Sequence, residues 1–259
     1  MLKPRIIPCL LVKNKGLVKT VKFKDGKYLG DPINAVRIFN EKEADELMVI
    51  DIDATYNNDE PDYKMIENLA SECRMPLCYG GGIKTLEQAQ RIFSLGVEKI
   101  AVSSAAIQNP SIVSDIASKV GNQSVVVVLD VKKKMFGGYD MYTHNGKKNI
   151  NINPIDFAIK MEKEGAGEIV INSIDNDGVM KGYDLDLIDK VRNSISLPLT
   201  VLGGAGDLED IGGLIQKYGI IGAAAGSLFV FKGKYKAVLI NYPNWEEKDR
   251  LINQHFKIN

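Results

Sequence analysis

The chain repeats itself, and the repeat leaves few folds open. Cys9-Leu10-Leu11-Val12-Lys13 answers Val128-Leu129-Asp130-Val131-Lys132, two apolar runs that end in Val-Lys. Glu46-Leu-Met-Val-Ile-Asp-Ile-Asp53 answers Glu168-Ile-Val-Ile-Asn-Ser-Ile-Asp175, with a step of 7 residues from Glu to Asp in each. Gly80-Gly-Gly82 answers Gly203-Gly-Ala-Gly206, and Ser104 and Ser227 each follow the first glycine by 24 residues. Two halves offset by about 120 residues, each with strand-end acids and glycine-rich turns, describe a duplicated half-barrel. The copies differ where it matters for chemistry: Asp130 has Leu11 as its counterpart. An acid kept in one half and lost in the other implies that the chemistry of the pair has changed.

Short Val- and Ile-rich runs alternate with amphipathic stretches of about ten residues, the pattern of βαβ units around a parallel sheet. Strands are predicted near 5–11, 46–51, 76–80, 98–103, 124–130, 168–173, 198–203 and 220–226. Helices are predicted near 32–44, 61–73, 85–95, 110–120, 153–165, 184–194, 207–218 and 233–241. Eight strands in unbroken alternation predict an α/β fold, a single (β/α)8 TIM barrel made of two duplicated half-barrels. The 259 residues fit the typical size of about 250. Asn109-Pro110 and Asn153-Pro154 each offer an Asn cap followed by Pro at a first helical position. Residues 12–31 and 131–152 follow strands 1 and 5, and connections of that length are usually functional. Residues 1–259 read as one domain, whose tail (242–259) is either a final helix beneath the barrel or a partly ordered end.

Composition closes off several functions. Lys and Arg number 33 against 33 Asp and Glu, so nothing global favours nucleic acid or an anionic membrane. No apolar run approaches the ~18 residues of a membrane span, and the N-terminus lacks a secretory apolar segment. Cys9, Cys73 and Cys78 are odd in number, and Cys9 and Cys78 sit inside apolar runs, as reduced thiols of a cytoplasmic protein would. His144 and His255 stand far apart with no CxxC beside them, so no metal site is expected, and nothing calls for a cofactor.

In such a barrel the chemistry sits at the C-terminal strand ends. Asp130 closes strand 5 there, and an acid ending an apolar run is costly to bury unless it is paired or works. Capping a helix or pairing with a loop is the bland alternative. Asp51 ends strand 2, while Asp175 and Asp177 follow strand 6, where Asp177-Gly178 is equally a turn signal. Lys19, in the first long loop, either reaches an anionic substrate or stands exposed. The two glycine sets have Ser103-Ser104 and Gly226-Ser227 at the ends of the strands that follow them. Glycine lets backbone N–H groups approach an anion, a hydroxyl adds a donor, and a helix N-terminus adds a favourable dipole. Two symmetric copies point to a ligand with a phosphate at each end. At the opposite end, Arg5, Glu46, Lys99 and Glu168 open strands 1, 2, 4 and 6 and would meet on the barrel axis as a charge-balanced ring. These residues alone leave open whether the ring is a stability layer or a functional one.

Arg5-Ile-Ile-Pro-Cys-Leu10, Gly80-Gly-Gly-Ile83, Ser104-Ala-Ala, Asn109-Pro110, Gly165-Ala-Gly-Glu168, Asp175-x-Asp-Gly178, Gly182-Tyr-Asp184 and Gly203-Gly-Ala-Gly206 closely resemble the cyclase subunit of imidazole glycerol phosphate synthase. The resemblance runs from Arg5 to about Phe231. It implies that Gly82, Ser103 and Ser104 hold one substrate phosphate, and Gly178, Gly203, Gly204, Gly226 and Ser227 the other. It implies further that Asp130 is one of two catalytic carboxylates. Arg5, Glu46, Lys99 and Glu168 would then be a salt-bridged gate, where ammonia from a partner glutaminase enters the barrel.

The departures lie at the mouth. The second catalytic acid of the family falls on Leu11, a Ser on Leu202, and two Thr on Asn172 and Val179, whereas the ring is intact. Losing a positioned acid or base typically costs about 10²–10⁴-fold in rate, and leucine moves no proton. This pattern, with Gly233-Lys-Tyr-Lys-Ala-Val-Leu-Ile-Asn-Tyr-Pro243, is similar to a second branch of the family found in surface-polysaccharide gene sets. Its members work with a glutaminase and an amidotransferase to turn an acetamido sugar into an acetamidino sugar. The expectation is therefore an ammonia-channelling barrel acting on a phosphorylated or sugar small molecule. A glutaminase would dock on its N-terminal face, with an amidotransferase as a third partner. Two alternatives compete: a working cyclase, a lyase of histidine biosynthesis, and a non-catalytic barrel that docks and activates the glutaminase. A sister sugar-phosphate isomerase is disfavoured, because it too needs an acid on strand 1.

Overall fold

Eight parallel strands close on themselves in the computed structural model, which describes residues 3–256. They are β1 (Arg5–Lys13), β2 (Leu47–Asp51), β3 (Leu77–Gly80), β4 (Lys99–Val102), β5 (Val125–Lys133), β6 (Glu168–Ser173), β7 (Leu199–Leu202) and β8 (Gly222–Ala225). Each pairs in parallel with the next, and β8 returns to β1 with Arg5 opposite Gly222 and Pro8 opposite Ala225. Side chains alternate between two cores, as the pleat of a strand requires. Ile7, Cys9, Met48, Cys78, Ala101, Val126, Val170 and Ala224 fill the barrel interior. The alternate positions, such as Ile6, Leu10, Val49 and Tyr79, pack outward against the helices.

Seven helices form where the periodicity predicts them: Pro32–Glu41, Tyr63–Glu72, Leu86–Ser94, Ser111–Val120, Pro154–Lys163, Leu185–Arg192 and Leu208–Tyr218. Short polar side chains start most of them. Asp31, Asp62, Thr85, Asn153, Asp184 and Asp207 each accept a hydrogen bond from a first-turn backbone N–H, a contact worth about 1 kcal/mol. Pro154 takes the first helical position after Asn153, as expected. Pro110 does not, because Asn109 ends a short helix (Ser104–Gln108) and Pro110 itself caps the helix that begins at Ser111.

No helix spans 233–241. A short helix (Ser227–Val230) follows β8, and the chain then makes a two-stranded hairpin, Phe231–Lys232 with Ala237–Val238. Gly233 and Lys236 adopt left-handed φ there, which a helix does not allow. The last helix on the barrel is instead Trp245–His255, packed on Leu208–Tyr218 with Leu251 buried. The Tyr242 hydroxyl donates to the Ile6 carbonyl at 2.9 Å, and Lys248 pairs with Asp45 at 2.7 Å, so the tail is fastened to the base of β1. Residues 257–259 of that tail lie outside the described residues. The two long connections are β-hairpins: Gly16–Val21 with Lys24–Gly30 after β1, and Tyr139–Thr143 with Lys148–Asn149 after β5.

Candidate active site

At the C-terminal ends of the strands lies a cavity of about 260 Å³. Its lining includes Leu11, Lys19, Asp51, Gly82, Ser103, Ser104, Asp130, Asn172, Asp177, Gly178, Leu202, Gly203, Gly204, Gly226 and Ser227, but not Val179, which was expected at the mouth. Asp175 is not among them; its carboxylate accepts from the Lys133 backbone N–H at 3.0 Å, a loop-pairing role.

Asp130 of β5 stands in register with Asn172 of β6, whose Nδ2 donates to Asp130 Oδ1 at 2.9 Å. Desolvation pushes the Asp130 carboxyl up to about 7; the hydrogen bond from Asn172 opposes this and the charge of Asp177 adds to it. Near neutral pH the group is thus divided between acid and base, the condition that proton transfer favours. In the first half the corresponding pair is Leu11 of β1 and Ile50 of β2, in register and apolar. Leu202 extends the apolar wall.

Lys19 is neither exposed nor free. Its ammonium is buried and donates to Asp177 Oδ1 at 2.5 Å and to the Thr20 carbonyl at 2.9 Å. Asp177 Oδ2 also accepts from Thr20 Oγ1 at 2.8 Å and from the Phe23 N–H at 3.1 Å. Asp177 therefore latches the first hairpin onto the mouth. Gly178 lets that hairpin come close, since a Cβ there would lie 2.4 Å from the Thr20 carbonyl oxygen. Asp51 accepts from the Asp53 and Ala54 amides at 3.0 and 3.1 Å, which starts the short helix Ala54–Asn57. Burial raises its pKa and those amides oppose the rise.

The duplication persists in the glycine backbone. Gly81 and Gly204 have φ of 124° and 127°, and a Cβ would lie 2.5 Å from the Asp51 carbonyl oxygen and 2.1 Å from that of Gly182. Glycine is required there by the crossing of main chains, with or without a ligand. What favours an anion lies beside them. Ser104–Gln108 and Ser227–Val230 both begin at the cavity, and the side chain of Ser103 caps no helix. Ser227 Oγ is buried with no hydrogen-bond partner among the described residues. An unmet buried hydroxyl costs about 1–3 kcal/mol, which an oxygen of a bound ligand would relieve.

The ring at the N-terminal end also forms. Arg5 donates to Glu46 and, at 2.7 Å, to Glu168, while Lys99 bridges Glu46 at 2.9 Å and Glu168 at 3.0 Å. Both carboxylates are buried, whereas the Arg5 and Lys99 side chains keep 27% and 19% of their surface, so the cations face out. Burial alone would lower the Arg5 and Lys99 pKa values, but the carboxylates outweigh it and both are raised. Burial alone would raise the Glu168 pKa, and the two cations hold it down. Above the ring the interior is apolar up to Leu11, Ile50 and Val128.

Three groups escape sequence reasoning. Thr200 joins the ring through Arg5 and Glu168. The second amide atom of Asn172, Oδ1, is buried and unpartnered among the described residues. His144 reaches the cavity from the tip of the second hairpin, with left-handed φ at His144 and Asn145. Its Nδ1 sits 2.9 Å from Thr143 Oγ1. The Asn145-Gly146 turn was readable, but nothing in the sequence said that it folds over the mouth.

The fold and this arrangement define a (β/α)8 barrel with a polar mouth at one end and a closed charged ring at the other. The chain belongs to the family described as "Histidine biosynthesis protein", whose profile matches residues 5–236. It is 61% identical over 253 residues to a Vibrio vulnificus protein provisionally named as an imidazole glycerol phosphate synthase subunit, covering 97% of each chain. The same provisional name is carried by a Leptospira interrogans protein, 61% identical over 253 residues, 97% of this chain and 100% of that one. The imidazole glycerol phosphate synthase subunit of Lactococcus lactis is 39% identical over 230 residues, 88% of this chain and 89% of that one. These relatives place the chain within the cyclase-subunit family, and their names favour the histidine-pathway alternative over the polysaccharide branch. Among the described residues no helix is long and apolar enough to cross a membrane.

Proposed function

We propose that this chain is the ammonia-accepting, cyclase-type subunit of a glutamine-dependent synthase, with a separate glutaminase docked at its N-terminal face. The observation that carries this is the axial layout: a paired ring at the base, an apolar interior above it, and the desolvated carboxyl of Asp130 at the far mouth. Ammonia crosses such an interior as a neutral molecule. At the mouth, Gly82 with Ser103 and Ser104, and Gly204 with Ser227, hold the two phosphates of the substrate. Asp130 takes the proton released when the nitrogen bonds to carbon and returns it to the departing group. The names of the relatives support imidazole glycerol phosphate formation as the reaction. Leu11 favours a second reading, in which the same ammonia delivery serves an acetamido sugar and an amidotransferase partner.

The test is turnover of the histidine-pathway intermediate by the chain purified with the glutaminase of its own organism, fed glutamine or free ammonia. Product from both sources supports the cyclase. Glutamine hydrolysis without product, even in free ammonia, supports the sugar reading, which amidine formation on an acetamido sugar then checks. A glutaminase found bound at the C-terminal mouth sinks both.

A further inference from the structure

The base ring has an uncharged fifth member. Thr200 of β7 is 0% exposed; its hydroxyl donates to Glu168 Oε1 at 2.5 Å and accepts from Arg5 Nη2 at 3.3 Å. Room for it comes from the next strand, where Gly222 of β8 is its register partner and a Cβ would lie 1.8 Å from Thr200 Oγ1. Threonine and glycine are thus a matched pair, each needing the other.

The hydrogen bonds divide unequally around the ring. Among the described residues Glu46 is served by Arg5 and Lys99, whereas Glu168 is served by Arg5, Lys99 and Thr200. Thr200 bonds to the Arg5–Glu168 side and not to Lys99. If Arg5 withdrew, its bonds to both carboxylates and to Thr200 would go together. If Lys99 withdrew, both carboxylates would keep Arg5, and Glu168 would keep the hydroxyl as well. Lysine is also a point charge on a flexible stem, whereas the arginine fork is fixed by the geometry it serves.

We infer that Thr200 is a positioning residue of the ring: it fastens Glu168 to Arg5, so that Lys99 is the member that swings aside to open the barrel. This rests on the ammonia route under Proposed function, but its test uses neither glutaminase nor substrate, so the two fail separately. A hydrogen bond to a charged group is worth about tenfold or more in an equilibrium constant. Without the hydroxyl, Glu168 depends more on Lys99, and the open population falls by about that factor.

The experiment is amine acetylation of the intact chain, with Lys99 quantified by peptide mass spectrometry against exposed Lys64 as reference. Thr200→Val should slow Lys99 labelling about tenfold relative to Lys64, and Thr200→Ser, which keeps the hydroxyl, should restore the rate. An unchanged or faster rate in Thr200→Val overturns the proposal. Should that variant not fold, the unaltered chain decides: Arg5 modification by phenylglyoxal, referenced to exposed Arg37, must be suppressed more than Lys99 acetylation is. Equal suppression, or the reverse, overturns the proposal too.

Discussion

The two half-barrels end differently at the mouth although their main chains match. Gly81 and Gly204 share nearly the same φ, and a short helix begins at Ser104 in one half and at Ser227 in the other. Yet the register pair Leu11–Ile50 is apolar, where Asp130–Asn172 is polar and hydrogen-bonded. The backbone of the duplication matches in both halves, and of these two pairs only one carries an acid. Under the proposed function, proton transfer falls to the Asp130–Asn172 pair of β5 and β6, while the Leu11–Ile50 pair of β1 and β2 offers shape and exclusion of water.

The harshest test of that contrast is Asp130→Asn, which is expected to lower ammonia-dependent turnover by about 10²–10⁴-fold while leaving phosphate binding intact. Steady-state rates with free ammonia measure this, and a loss under tenfold would break the comparison. The converse, Leu11→Asp, should raise turnover of the histidine-pathway intermediate by about 10²-fold if the missing acid is what limits it. Wild-type turnover within tenfold of the Asp variant would show that the apolar wall never mattered.

A gentler test uses stability. Because the Asp130 carboxyl titrates near 7, the folded chain holds a proton that the unfolded chain has already released at lower pH. Stability should then fall as pH rises from the ordinary carboxylate range to about 7 and level off above it, by at most about 1.4 kcal/mol per pH unit. Urea titrations at pH 5 and pH 8 should show this decline in the wild type and a smaller one in Asp130→Asn. The smallest effect is at the anion sites. Ser227→Ala should weaken phosphate binding about fivefold, the worth of one hydrogen bond, and Ser104→Ala by a similar factor in the other half. Calorimetry reads both, and unchanged affinities would leave the glycines as turn residues alone.

Strand order, barrel closure and the base ring were legible because they rest on period and repetition. Alternating apolar runs fix strands, and an internal copy checks each assignment against another. The ring was visible as four charges opening apolar runs, an arrangement that buried charges must resolve by pairing. Thr200 was not, since a threonine inside a strand has the same β-propensity whether or not its hydroxyl meets a carboxylate. The ion pair that buries Lys19 was not legible because its partner, Asp177, lies 158 positions away. The helix expected at 233–241 failed for a local reason, the left-handed turn between Gly233 and Lys236, which a periodicity count does not see.

The pairing of β8 with β1 sets the order in which the molecule can be finished. Strand β1 is made well before the partner for its outer side, which begins only at Gly222. At synthesis rates of about 5–20 residues per second, that side waits on the order of ten seconds or more. A bare strand edge is a template for wrong partners. The two strands meet over four register positions, Arg5 to Pro8, so the edge left bare is short. A barrel that closes on so short a seam offers little template to a stray strand while it waits.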